Sequence, residues 1–115
     1  MPDSTSCKAA AILDTWTHHT WSNGLQVNSV PDFTRITVQT RNTTYQVTVI
    51  DGASREVLIR GGRFFPAFTE ARLTGSTLGG SFLKVGGIYA GFNMEILAAG
   101  TTVVTTPVQS IRVHS

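Results

Sequence analysis

From residue 34 onward, hydrophobic and polar residues alternate with a period of two, which is typical of β-strands with one buried face. Two such runs, residues 36–41 and 45–50, flank a short polar break. A third run, residues 56–60, follows an Asp-Gly turn signal and ends at a glycine pair. We therefore predict a β-hairpin that a third strand extends into a meander.

The pattern is less regular after this meander. Residues 63–68 combine three phenylalanines with Pro66, which cannot donate a ladder hydrogen bond, so a loop or a corner between sheets is predicted there. Alternation returns over residues 70–74 and predicts a fourth strand, which the glycine-rich stretch 75–80 is expected to interrupt.

The remaining strands are short and separated by glycines. Apolar segments at 81–85 and 88–97 predict strands on either side of a glycine pair, and residues 102–105 predict a strand that returns along the second of them. Pro107 is expected to end that strand or to place it at a sheet edge, before a terminal strand over 108–113.

Six or seven short strands with glycine-rich turns and local connections predict an all-β fold. We expect a small antiparallel β-barrel or sandwich, SH3-like in general shape, although no family motif accompanies that likeness. Paired glycines suit the bulges and sharp bends at which a small barrel turns its corners.

Residues 1–33 form a predicted N-terminal extension, because the pattern changes at Pro31-Asp32. Within it Ser6 is a candidate N-cap for a helical turn or short helix whose apolar side chains share one face. That face comprises Ala9, Ile12, Leu13 and Trp16. The chain of 115 residues has room for one domain, which we place at residues 34–115.

Charged residues make up 14% of the chain, against about 25% in ordinary globular domains. A surface with so few charges is readily buried against a partner, so self-association is expected. The charges are also unevenly distributed: residues 34–115 contain seven Arg and one Lys against four acidic residues, a net charge of +4. A mildly basic domain of this kind can attract polyanions or small anionic ligands, but nucleic-acid binding usually comes with a much denser basic face, and the alternative is an ordinary solvated surface.

Cys7 is the only cysteine, so no intrachain disulfide can form and a reducing compartment is expected. The first residues lack a basic segment, and their longest apolar run, residues 9–13, is too short for a signal peptide or a membrane span. These features predict a cytoplasmic protein without a membrane partner.

One cluster of residue types resembles a ligand-binding surface. In small barrels, aromatic rings stack on bases while cations hold the nucleic-acid backbone. The opposing interpretation is that the phenylalanines lie in the core and the cations at outward strand positions. The residues of this candidate interaction surface are Arg60, Arg63, Phe64, Phe65, Phe68, Arg72 and Lys84.

Motifs for catalysis, cofactors and metals do not emerge. Lys84 lies between glycine pairs but is followed by Val85 rather than the Ser or Thr of a phosphate-binding loop. The side chains of His18 and His19 diverge on any regular element, and His114 is remote from both, so neither a metal site nor a catalytic group is predicted. No cofactor is expected, and a non-enzymatic protein is favoured over an enzyme.

Two functions therefore remain open. The first is a binding or assembly module that forms a homo-oligomer or docks on a protein partner through its surface of low charge. The second is a small-barrel binder of nucleic acid or another polyanion, with its cations at Arg60, Arg63, Arg72 and Lys84.

Overall fold

The computed structural model describes residues 23–78 and 81–114. The strands are β1 (Gly24–Gln26), β2 (Arg35–Thr40), β3 (Thr44–Asp51), β4 (Glu56–Gly61), β5 (Phe65–Leu78), β6 (Ser81–Val85), β7 (Gly87–Tyr89), β8 (Asn93–Ala98) and β9 (Thr101–His114). One 3₁₀ turn, Val27–Ser29, follows β1. The helical turn predicted after Ser6 lies outside the described residues. Nowhere in the described ranges does a helix reach the length and apolarity needed to cross a membrane.

Seven strands form one antiparallel sheet in the order β4-β3-β2-β9-β8-β5-β6, and β4 also pairs with β5. This additional pairing closes a ring of hydrogen bonds through β2, β3, β4, β5, β8 and β9, and β6 continues from β5 outside the ring. The prediction of an all-β, antiparallel fold with six to seven sheet strands is confirmed. The predicted hairpin and meander are β2, β3 and β4, paired in sequence order.

The core fills the inside of the ring, because alternate residues of each strand point inward. In β2 and β3 the side chains of Ile36, Val38, Val47 and Val49 are almost completely buried, whereas their neighbours in sequence are partly or fully exposed. Fifteen buried hydrophobic residues from all parts of the described chain form a single cluster. Burial of branched aliphatic side chains therefore fixes which residues face outward.

Residues 24–29 also contribute to this packing. Strand β1 pairs with β7 in a separate two-stranded sheet, and Val27 is fully buried in the core cluster. The amide of Gln26 donates a hydrogen bond to the hydroxyl of Tyr89 over 3.2 Å. The predicted boundary at residue 33 thus falls after a strand and a core side chain that pack with the rest of the described fold.

The loop predicted over residues 63–68 is wrong from Phe65 onward, where β5 begins. Phe65 pairs with Gly61 and Thr69 with Ile59, so β5 has three residues where β4 has one. Pro66 lies in this bulge, where the strand needs no ladder hydrogen bond from it. The bulge reconciles the proline with a strand.

The interruptions expected after Thr74 and at Pro107 are also wrong, because β5 continues to Leu78 and β9 continues to His114. Each position lies where its strand changes partner. Strand β5 pairs with β4 as far as Arg72, with β8 from Arg72 and with β6 from Gly75. Strand β9 pairs with β8 up to Pro107 and with β2 from Val108. A strand can accommodate glycine or proline at the position where its hydrogen-bonded partner strand changes.

The turn between β8 and β9 contains an alanine whose replacement is expected to stabilise the fold. Its two central residues, Ala99 and Gly100, have φ angles of 49° and 78°, which is the left-handed pair of a type I′ turn. Asparagine tolerates this conformation better than alanine. We expect Ala99→Asn to raise the free energy of unfolding by about 0.5–1 kcal/mol. Urea denaturation followed by circular dichroism measures the change, and an unchanged or lower stability would contradict it.

Candidate functional site

A row of outward side chains crosses four neighbouring strands of the ring. Arg112 on β9 lies opposite Thr37 on β2, Thr37 opposite Gln46 on β3, and Gln46 opposite Arg60 on β4. Neighbouring strands are about 4.8 Å apart, so roughly 14 Å of sheet separates the backbones of Arg112 and Arg60. The row therefore carries a guanidinium group at each end and two neutral hydrogen-bonding side chains between them.

A second row runs beside the first on the same face. His114 lies opposite Arg35, Arg35 opposite Thr48, and Thr48 opposite Leu58. The Oγ1 of Thr37 lies 2.7 Å from Nε2 of His114, which links the two rows by a hydrogen bond. The pairing of β2 with β9 thus adds a third arginine and a histidine to the face.

Phe68 extends the first row onto β5. The guanidinium carbon of Arg60 lies 4.7 Å from the centroid of the Phe68 ring, a cation–π contact. Nη2 of Arg60 also donates a 2.5 Å hydrogen bond to Oε1 of Gln46. The two contacts hold a planar cation and an aromatic ring together, while Phe68 remains 47% exposed.

These rows surround a groove of about 350 Å³, here called the Arg35 groove. It is lined by Arg35, Ile36, Thr37, Gln46, Val47, Thr48, Phe68 and His114, with Arg60 and Arg112 beside it. No carboxylate is part of this lining. Within the described part of the chain, Arg35, Arg60 and Arg112 form no ion pairs. The groove is therefore basic, with its positive charge available to a ligand.

A larger groove of about 580 Å³, here called the Glu70 groove, lies farther along β4 and β5. Its lining comprises Ile50, Glu56, Val57, Leu58, Glu70, Ala71, Arg72, Leu97, Ala99 and Gly100. Glu56 lies opposite Arg72 on the ladder, and Glu70 opposite Leu58. Two carboxylates against one guanidinium leave this groove acidic, over a largely apolar lining.

The seven candidate residues named from the sequence are dispersed. Arg60 and Phe68 are in contact beside the Arg35 groove, whereas Arg72 lines the Glu70 groove. Arg63 and Phe64 are exposed in the turn between β4 and β5, and Lys84 is half-buried on β6. Phe65, with 2% exposure, belongs to the core and is no part of an exposed surface.

Sequence reasoning missed Arg35, Arg112 and His114. Arg35 is far from Arg112 and His114 in the chain, and only the pairing of β2 with β9 brings the three to one face. The sequence does contain a usable signal, because each arginine of the face is next to at least one isoleucine in an alternating strand. That pattern marks arginines at outward positions of strands but leaves open which strands are neighbours.

Comparisons of the chain with models of known protein families, with curated proteins and with solved structures found no match. Across the described ranges, no group of three or more His, Cys, Asp and Glu side chains is placed to hold a metal ion. The candidate site is therefore defined by its cations, its aromatic ring and the shape of the groove.

Proposed function

We propose that this protein binds single-stranded nucleic acid through the Arg35 groove. The observation that carries the proposal is the Arg60–Phe68 stack beside Arg35 and Arg112, on a face where these arginines have no acidic partner among the described residues. Of the two functions open from the sequence, polyanion binding is the one that this groove supports.

Each part of the groove has a chemical role in this proposal. A guanidinium group offers a planar fork of N–H donors that matches the oxygens of a phosphate. The exposed ring of Phe68 provides a stacking surface for a base, and base–aromatic stacking tolerates any sequence. Thr37 and Thr48 add hydroxyl groups that reach sugar or phosphate oxygens.

The ligand is proposed to be single-stranded because of where the aromatic ring lies. Phe68 contacts a ligand by its ring face or edge, and a base offers its own face only when it is unstacked. The described residues present a sheet surface with a shallow groove, without a helix suited to the major groove of a duplex. Such a surface accepts a flexible strand that follows its curvature.

Substitution of Phe68 by alanine tests the stacking role. We expect roughly 5- to 100-fold weaker binding of a fluorescently labelled oligothymidine, because stacking on an aromatic side chain contributes about 1–3 kcal/mol per base. Fluorescence anisotropy at low salt measures the dissociation constant for the full-length variant.

The matched control is Phe33→Ala. Phe33 is 73% exposed and lines neither groove, so its loss is expected to leave the affinity unchanged. Wild-type affinity in a folded Phe68→Ala variant, or an equal loss in both variants, would argue against the Arg35 groove as the binding site.

A further inference from the structure

The turn between β4 and β5 presents two exposed side chains at one end of the barrel. Gly61 pairs with Phe65, and Arg63 and Phe64 lie at the tip between them, with Phe64 64% exposed. A Cβ at Gly61 would lie 2.5 Å from the carbonyl oxygen of Thr44, so the turn packs tightly against β3. A turn held in this way presents its side chains with little further loss of conformational entropy on binding.

The Glu70 groove has the properties that complement this tip. Its apolar lining includes the exposed side chain of Leu97, and it is large enough for an aromatic ring. The carboxylates of Glu56 and Glu70 form no ion pairs with other described residues. The groove therefore has an apolar surface beside a net negative charge. Such a surface is expected to bind an aromatic and a cationic side chain that are adjacent in sequence, as Phe64 and Arg63 are.

We propose that the Phe64 ring of one copy of this chain occupies the Glu70 groove of a second copy, with Arg63 between Glu56 and Glu70. Arg72 already offsets one of the two carboxylates, and the incoming guanidinium offsets the other. The aromatic ring supplies the apolar contact and the charges fix its orientation. This assembly uses neither the Arg35 groove nor a nucleic-acid ligand, so it stands independently of the proposed function.

The tip residues Arg63 and Phe64 are not part of the lining of the groove in their own chain. Along β4, the groove residues Leu58 and Glu56 lie three and five residue steps from Gly61, roughly 10 and 17 Å of paired strand at about 3.3 Å per step. Tip and groove are different surfaces, so copies can join head to tail or can exchange tips reciprocally about a two-fold axis. Head-to-tail chains, closed rings and a reciprocal two-fold dimer all satisfy this contact.

Two variants test this contact, one altered at the tip and the other in the Glu70 groove. Phe64→Ser removes the ring from the tip, and Glu70→Arg reverses a charge in the groove. Sedimentation velocity on nucleic-acid-free protein is expected to show growth with concentration for the wild type, and for each variant alone an association weakened roughly tenfold or more. An equimolar mixture of the two is expected to form dimers only, since it contains one working tip and one working groove per pair.

Exchanging the charges of Arg63 and Glu70 tests the contact without relying on the folding of any single variant. Arg63→Glu alone is expected to weaken association as strongly as Glu70→Arg, and the double variant Arg63→Glu/Glu70→Arg is expected to recover it. Phe33→Ser, a loss of an equally exposed ring elsewhere, serves as the control with wild-type association. A wild type that stays monomeric as its concentration rises, a mixture without dimers, or a double variant without recovery would each overturn the proposal.

Discussion

Replacement of Gly75 by alanine is expected to lower the free energy of unfolding by about 2–5 kcal/mol. The φ angle of Gly75 is 148°, a conformation that residues with a Cβ rarely adopt. An added Cβ would also overlap the carbonyl oxygen of Lys84 and lie 2.8 Å from its carbonyl carbon. Neither atom can move away without separating β6 from β5, because both belong to the backbone of the paired strand.

Gly100→Ala is the matched control for this prediction. Gly100 also has a positive φ, 78°, but an added Cβ there would meet no atom within 4 Å. Gly100→Ala is therefore expected to lower the free energy of unfolding by only about 1–2 kcal/mol, the cost of placing alanine in a left-handed conformation. Urea denaturation of both variants measures the difference, and equal losses of stability would show that the close approach of β6 is unimportant.

Loss of two arginines from the Arg35 groove is expected to weaken oligothymidine binding roughly 150-fold or more. The double variant Arg35→Gln/Arg112→Gln removes two charge-assisted contacts to phosphate, each contributing about 1.5–3 kcal/mol at most sites. Both side chains are exposed and form no ion pairs with other described residues, so the fold is expected to tolerate the change. Fluorescence anisotropy at low salt measures the loss.

The control variant Arg63→Gln/Arg72→Gln removes the same charge from positions outside this groove. These two arginines were favoured by the sequence, whereas their positions in the structure are the tip between β4 and β5 and the Glu70 groove. We expect its affinity to fall less than threefold, because distant surface charges act through screened, long-range attraction only. Equal losses in the two double variants would indicate binding by net charge rather than by the groove.

Local features of the fold could be predicted from the sequence because period-two alternation directly reports which face of a strand is buried. The hairpin and the third strand followed from that signal together with the turn signals between the runs. The continuation of β9 beyond Pro107 did not, because it depends on a change of partner from β8 to β2. A long-range exchange of this kind leaves no local pattern, and the proline points to the wrong outcome.

The candidate site was predictable only in part, for the same reason. Arg60 and Phe68 lie close in sequence and do meet on the outer face. Thr37 and His114, whose contact joins the two rows of the groove, are 77 residues apart. The sequence also did not show which phenylalanines are buried. The bulge in β5 breaks the period-two alternation that would distinguish buried Phe65 from exposed Phe68.

The most direct test of the central claim is the salt dependence of oligothymidine binding by the wild-type protein. For single strands the logarithm of the binding constant falls with the logarithm of salt concentration by about 0.7 per neutralised phosphate. Three guanidinium groups at the groove, Arg35, Arg60 and Arg112, therefore predict a slope of about −2, and their reduction to one in the Arg35→Gln/Arg112→Gln variant predicts about −0.7. Absent binding, or a slope that this variant leaves unchanged, would contradict the assignment of nucleic-acid binding to the Arg35 groove.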